Sequence, residues 1–154
     1  MAALGGVPLP RATRACADYD RYEGHRKSQG FETKLRETTD AKIDQLLADT
    51  GRSLVAVELN YLSDATETLI DCRRLLTNTY PFAFYMEKGV EKALLEELQQ
   101  RLEGVTERLS GALEQEDPDR DAIVNFAADA RLRKRHMLEG LEEARHPPTP
   151  AGVC

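Results

Sequence analysis

The apolar residues of this chain recur at helical spacing, and no segment alternates apolar and polar residues between turn signals as a strand would. A helical pattern begins near Arg11. Tyr19, Tyr22 and His25 share one face, and Phe31, Leu35, Thr39 and Leu46 form a second stripe. At about 100° per residue, Phe31 lies about 180° round the helix from Tyr22. Either this helix buries both faces or it bends near Gly24 and Gly30, and the pattern leaves both open. Gly51 is placed to end it as a C′ residue.

The second helix is capped by Ser53. Leu54, Tyr61, Leu62, Ala65, Leu69, Cys72 and Leu76 fall within about 100° of arc, a single core-facing stripe. Glu58 falls inside the stripe but in the first two turns, where the helix dipole favours an acid. The stripe runs into an aromatic cluster, Tyr80, Phe82, Phe84 and Tyr85, with Pro81 inside it. Large rings bury the most area per residue, so the cluster, with Cys72 and Arg73, is expected to be a hub on which the helices converge. Pro81 lacks an N–H and disfavours helix at Tyr80, so the chain is expected to bend or break there.

Lys88-Gly89 forms a joint, and a third helix runs to about Gln115 with Leu94, Leu98, Leu102, Val105, Leu109 and Leu113 inward. Its opposite face is acidic, with Glu96, Glu103, Glu107 and Glu114. Asp117 as N-cap and Pro118 at the first helical position open a fourth helix. That helix is expected to bury Ile123, Ala127, Ala130, Met137, Leu138 and Leu141. The expected architecture is all-α: an elongated bundle of about four long helices over residues 11–145. The Gly- and Pro-containing residues 1–10 are expected to be a flexible leader, and 146–154 a disordered Pro-rich tail.

At 154 residues the chain is the size of one domain. Its net charge of -6 argues against non-specific nucleic-acid binding, which needs a basic footprint. The acidity is concentrated in residues 91–118, which hold eight acids and three bases. No apolar run reaches the ~18 residues of a membrane span. Cys16, Cys72 and Cys154 are odd in number and widely spaced, which fits free thiols in a reducing compartment.

Candidate chemistry is sparse. The Cys and His residues do not cluster as a zinc site requires. Cys72 sits mid-stripe, where a small buried hydrophobe is the simpler reading than a nucleophile. Glu143-Ala-Arg-His146 matches the Glu-x-x-His of di-iron bundles once, without the second copy needed. The basic run Arg131–Arg135 reads as a solvated helix face that complements the helix dipole. Neither a Walker phosphate loop nor a dinucleotide-binding Gly pattern is present. No catalytic residue, metal or cofactor is expected.

Three groups of residues, in order, resemble the Ariadne domain of RING-between-RING (RBR) ubiquitin ligases. The first is Arg21-Tyr22, His25, Ser28 and Phe31-Glu32 through Leu35, similar to the family's R-Y-x-x-H-x-x-S-x-x-F-E opening. The second is Cys72-Arg73, Leu75-Leu76 and Thr79 to Tyr85. The third is Thr106-Glu107 with Leu109-Ser110-Gly111, followed by a basic last helix. The resemblance implies a non-catalytic domain that folds over the catalytic ring, Rcat, and masks its ubiquitin-accepting cysteine. Relief comes from a partner such as a NEDD8-modified cullin-RING ligase. By residue match the masking contacts would be Phe31, Glu32 and Glu107. The expected setting is the cytoplasm, with the nucleus second, and no membrane partner. The zinc modules that precede this domain in the family are absent, as is the Trp often found early in the second helix. The resemblance therefore fits either a piece of a ligase or a free-standing protein acting on an Rcat in trans. A helical protein-binding scaffold without inhibition is the alternative.

Overall fold

The computed structural model describes residues 19–24, 26–27, 32–50 and 58–146. Every regular element among them is helical, as the spacing of the apolar residues requires. The expected leader, Phe31, His25, Ser28, Gly30, Gly51, Ser53, Leu54, Cys16, Cys154 and all of the tail but His146 lie outside the described residues. Four long helices follow a helical segment at 19–24: α1 (Glu32–Thr50), α2 (Asn60–Tyr85), α3 (Val90–Glu114) and α4 (Arg120–Arg145).

Helices α2, α3 and α4 make an up-down-up bundle. Arg73 meets Ser110 and Tyr80 meets Glu103, so α2 and α3 are antiparallel. Arg108 meets Asp129 while the Leu98 side chain lies against Gly140, so α3 and α4 are antiparallel. Cys72 meets Ala130 and Tyr61 meets Arg120, which sets α4 parallel to α2. The core between them is Leu62, Leu69, Cys72, Leu76 and Tyr80 of α2, Leu95, Leu102, Val105 and Leu109 of α3, and Ile123, Ala127, Ala130 and Met137 of α4. A 25-residue helix is about 38 Å long at 1.5 Å per residue, so the bundle is elongated.

α1 lies antiparallel along α2 and is held differently. Among its described side chains Thr39 alone is buried, and Leu35, Ile43, Leu46 and Leu47 are only partly covered. Its fastenings are polar. Thr39 Oγ1 and Thr66 Oγ1 share a hydrogen bond of 2.9 Å, Arg36 makes a two-pronged pair with Glu67, and Lys42 donates to the Leu113 and Gln115 carbonyls at the end of α3.

Several expectations are corrected. Pro81 does not break the chain: α2 continues to Tyr85. Only one intrahelical bond is lost to the ring, and Tyr80 and Ala83 extend the Leu76 stripe at i+4 and i+7. Burying them outweighs the penalty of about 3 kcal/mol for an interior proline. The regular part of α2 starts at Asn60, after the buried Leu59, so Glu58 precedes it and is exposed. In α3, Leu95 is buried and Leu94 is 48% exposed. Asp119, not Asp117, caps α4, with its carboxylate accepting from the Ala122 N–H at 3.2 Å. Leu138 is 44% exposed and Leu141 only partly covered, because the inward face of α4 is carried by Ile123, Ala127, Ala130 and Met137. The run Arg131–Arg135 is mid-helix, so Arg145 is the base that meets the dipole's C-terminal end.

Candidate functional site

The aromatic hub is divided by the helix it sits on. Tyr80 is 2% exposed and Phe82 packs on the core, whereas Pro81, Phe84 and Tyr85 face outward. Successive residues of a helix point about 100° apart, so a run of rings cannot all enter one core. Phe84 and Tyr85 instead stack edge-to-face on the surface, with ring centroids 5.1 Å apart. Cys72 is fully buried, and burial pushes its thiol up to about 11. Burial thus favours the protonated thiol at neutral pH.

Tyr80 donates its hydroxyl to Glu103 of α3, and Arg21 reaches the same carboxylate at 2.7 Å while lying over the Tyr80 ring at 5.2 Å. Burial first, then this hydrogen bond, raises the Tyr80 hydroxyl well above the ordinary phenol range. The sequence spacing puts Glu103 on the acidic face of α3, opposite the leucines. In the structure it lies half-buried beside Leu102 on the flank of α3 that faces α2, where Gln99 and Ser110 are buried. The sequence signal that points to it is the match of Arg21 and Tyr80 to two separate anchors.

Glu32 is the first residue of α1, where the dipole favours an acid. Both of its carboxylate oxygens accept from Arg74 of α2, at 3.0 Å and 2.5 Å, and its side chain is only 14% exposed. This is the two-pronged geometry that suits a guanidinium. The neighbouring Arg73 points the other way and donates to Ser110 of α3 at 3.0 Å. Glu107 stands one turn before Ser110, exposed, with no hydrogen bond or ion pair among the described residues. The Arg73-Arg74 step of α2 therefore lies between Glu32 on one flank and the Glu107 turn of α3 on the other.

Among the described residues no group of three or more His, Cys, Asp or Glu is placed to hold a metal ion. No helix among them is long and apolar enough to cross a membrane. The arrangement offers ionic and apolar contact surfaces.

Residues 13–126 match the Ariadne domain family. The chain is 35% identical over 119 residues to the E3 ubiquitin-protein ligase ari-1.1 of Caenorhabditis elegans, covering 77% of this chain and 23% of that protein. It is 33% identical over 126 residues to the E3 ubiquitin-protein ligase ARIH2 of Mus musculus, covering 81% and 25%. To the E3 ubiquitin-protein ligase ARIH1 of Homo sapiens it is 35% identical over 135 residues, covering 80% and 24%. The chain thus spans about a quarter of the length of the curated relatives it matches. From the match across residues 13–126, and from these relatives, the chain belongs to the Ariadne domain family of RBR E3 ubiquitin ligases.

Proposed function

We propose that this domain masks the catalytic ring, Rcat, of an RBR ligase through Phe31, Glu32 and Glu107, and that a partner such as a neddylated cullin-RING ligase lifts the mask. The observation that carries this reading is the placing of Glu32 and Glu107 on either side of Arg73-Arg74. Two acids so placed offer contacts to a basic partner surface, Glu107 directly and Glu32 by exchange of its Arg74 partner, and Phe31 precedes Glu32 in sequence. The ligase activity belongs to the relatives as whole proteins. This chain supplies the regulatory part, in cis within a longer ligase or in trans.

The test is a titration of the protein into an Ariadne-type RBR module whose own helical domain is deleted, with discharge of ubiquitin from a charged E2 as readout. Discharge should slow with added protein and recover with the Phe31→Ala, Glu32→Ala, Glu107→Ala triple variant. A folded protein that leaves discharge untouched, or a triple variant that inhibits as well as the parent, would overturn the reading.

A second reading, a protein-binding scaffold without inhibition, is favoured by the exposed apolar corner where α2 meets α3. Phe84 is 43%, Tyr85 82%, Val90 86% and Leu94 48% exposed there. Such a scaffold would bind an RBR module or a cullin-RING component without changing discharge.

A further inference from the structure

An open groove of about 280 Å³ runs between α3 and α4, lined by Gln100, Arg101, Gly104, Arg108 and Arg133. Three of its five lining residues carry guanidinium groups, in a chain whose net charge is -6. The space over Gly104 is open, since a Cβ built there meets nothing within 4 Å. The groove lies on the α4 side of α3. Glu107 stands about 100° round the helix from Arg108 but within about 20° of Gln100, so the surface assigned to Rcat borders the groove on its α2 side.

The arginines are held by fewer acids than they could engage. Arg101 pairs with Glu97 at 2.5 Å. Arg133 and Arg108 share the single carboxylate of Asp129, at 3.1 Å and 3.7 Å. Arg108 also donates to the Gly104 carbonyl at 3.3 Å and lies over the Phe126 ring at 5.7 Å. Three cations thus face two carboxylates, and each guanidinium carries five donors, more than these contacts use.

We propose that this groove is a docking site for an acidic, extended peptide segment whose Asp and Glu carboxylates pair with Arg101, Arg108 and Arg133. The spacing selects this occupant. Arg101 and Arg108 are seven residues apart, about 10 Å along the helix, and Arg133 stands across the groove on α4. The charges are strung out along a channel, which suits a row of carboxylates. They do not converge on one point, as a cradle for a single phosphate would. Arginine forks take carboxylates two-pronged, and such a pair survives partial exposure better than a lysine contact.

The probe is a fluorescein-labelled octaglutamate peptide, titrated with the whole chain and followed by anisotropy at fixed ionic strength. Saturable binding is expected. The triple variant R101Q/R108Q/R133Q should lower affinity at least about tenfold, equivalent to about 1.4 kcal/mol. R131Q/R135Q removes two exposed arginines of α4 that do not line the groove and should bind like the parent. Gly104→Phe fills the channel and leaves every charge in place, so it should bind weakly with an unchanged helical circular dichroism spectrum. This variant keeps the proposal open to test if the triple variant does not fold. Absence of saturable binding, equal loss in R131Q/R135Q, full binding by Gly104→Phe, or displacement of the peptide by inorganic phosphate at matched ionic strength would each overturn it.

Discussion

Glu32, the first residue of α1, is clasped by Arg74 of α2 through both carboxylate oxygens. The pair does two things at once. It pins the start of a helix that has little apolar contact of its own, and it occupies an acid that the masking proposal assigns to a partner.

Arg74→Gln separates these roles. Arg74 is half exposed, and ion pairs of that kind contribute about 0–1 kcal/mol, so the urea midpoint should move little. The freed carboxylate should then mask Rcat better, and the concentration giving half-inhibition in the discharge assay should fall. Glu32→Ala should move that concentration the opposite way at similar stability. Equal inhibition by Arg74→Gln and the parent would detach Glu32 from the mask.

Glu103 ties three segments together: the 19–24 helical segment through Arg21, α2 through Tyr80, and α3 on which it sits. Glu103→Ala removes an ionised acceptor from a nearly buried hydroxyl and should cost about 2 kcal/mol. Tyr80→Phe removes the hydroxyl but leaves Glu103 to Arg21, and should cost about 1 kcal/mol. Limited trypsin digestion distinguishes the two further. Cleavage after Arg21, Arg26 and Lys27 should speed up in Glu103→Ala and stay near the parent rate in Tyr80→Phe.

Two helix-interior glycines should respond differently to alanine. At Gly104 a new Cβ meets nothing within 4 Å, so Gly104→Ala should stabilise by up to about 1 kcal/mol through helix propensity. At Gly140 the Cβ would come within 2.7 Å of Leu98 Cδ1. Leu98 must shift to admit it, and that displacement offsets the propensity gain. Chemical denaturation should therefore rank Gly104→Ala above Gly140→Ala, and the reverse order would mean that α3 and α4 are looser at Gly140 than their contact implies.

The fold was legible because its stripes are long. Leu62, Leu69, Cys72 and Leu76, or Leu102, Val105 and Leu109, repeat at helical spacing over several turns and are buried as that spacing requires. What was not legible depends on choices between equals or on a second helix. Leu94 and Leu95 are chemically identical neighbours, and only the rotation of α3 against its neighbours buries Leu95. Asp117 and Asp119 are both good caps, and the geometry of the turn decides for Asp119. Pro81 is a local signal that burial of Tyr80 and Ala83 overrides. At the candidate site the types of Glu32 and Glu107 were readable, and the exposure of Glu107 followed from its place opposite the leucines. The clasp on Glu32 was not, since it depends on α1 lying antiparallel to α2, which no local pattern encodes.

Alkaline titration should expose the two buried acids of α2. Burial raises the Cys72 thiol from 9.0 to about 11 in the folded chain, while in the unfolded chain it ionises near the lower value. Between those pH values the unfolded state has lost a proton that the native state keeps. A raised folded pKa gives stability that is fully present below the unfolded value and is lost as pH climbs through the folded one. A difference of about two pKa units corresponds to a loss of about 2–3 kcal/mol by the end of the window. Tyr80, raised by burial and by its bond to Glu103, adds a second loss that starts near the ordinary tyrosine value of about 10. Urea midpoints should be flat from neutral pH to about 9 and then fall. Cys72→Ala should lower stability at neutral pH, because it empties part of a packed core, yet fall less steeply in the first part of the window. Tyr80→Phe should spare the later part. The slope is the readout that a simple packing loss would not move. A Cys72→Ala profile parallel to the parent's above pH about 9 would show that the thiol titrates alike in the folded and unfolded chain.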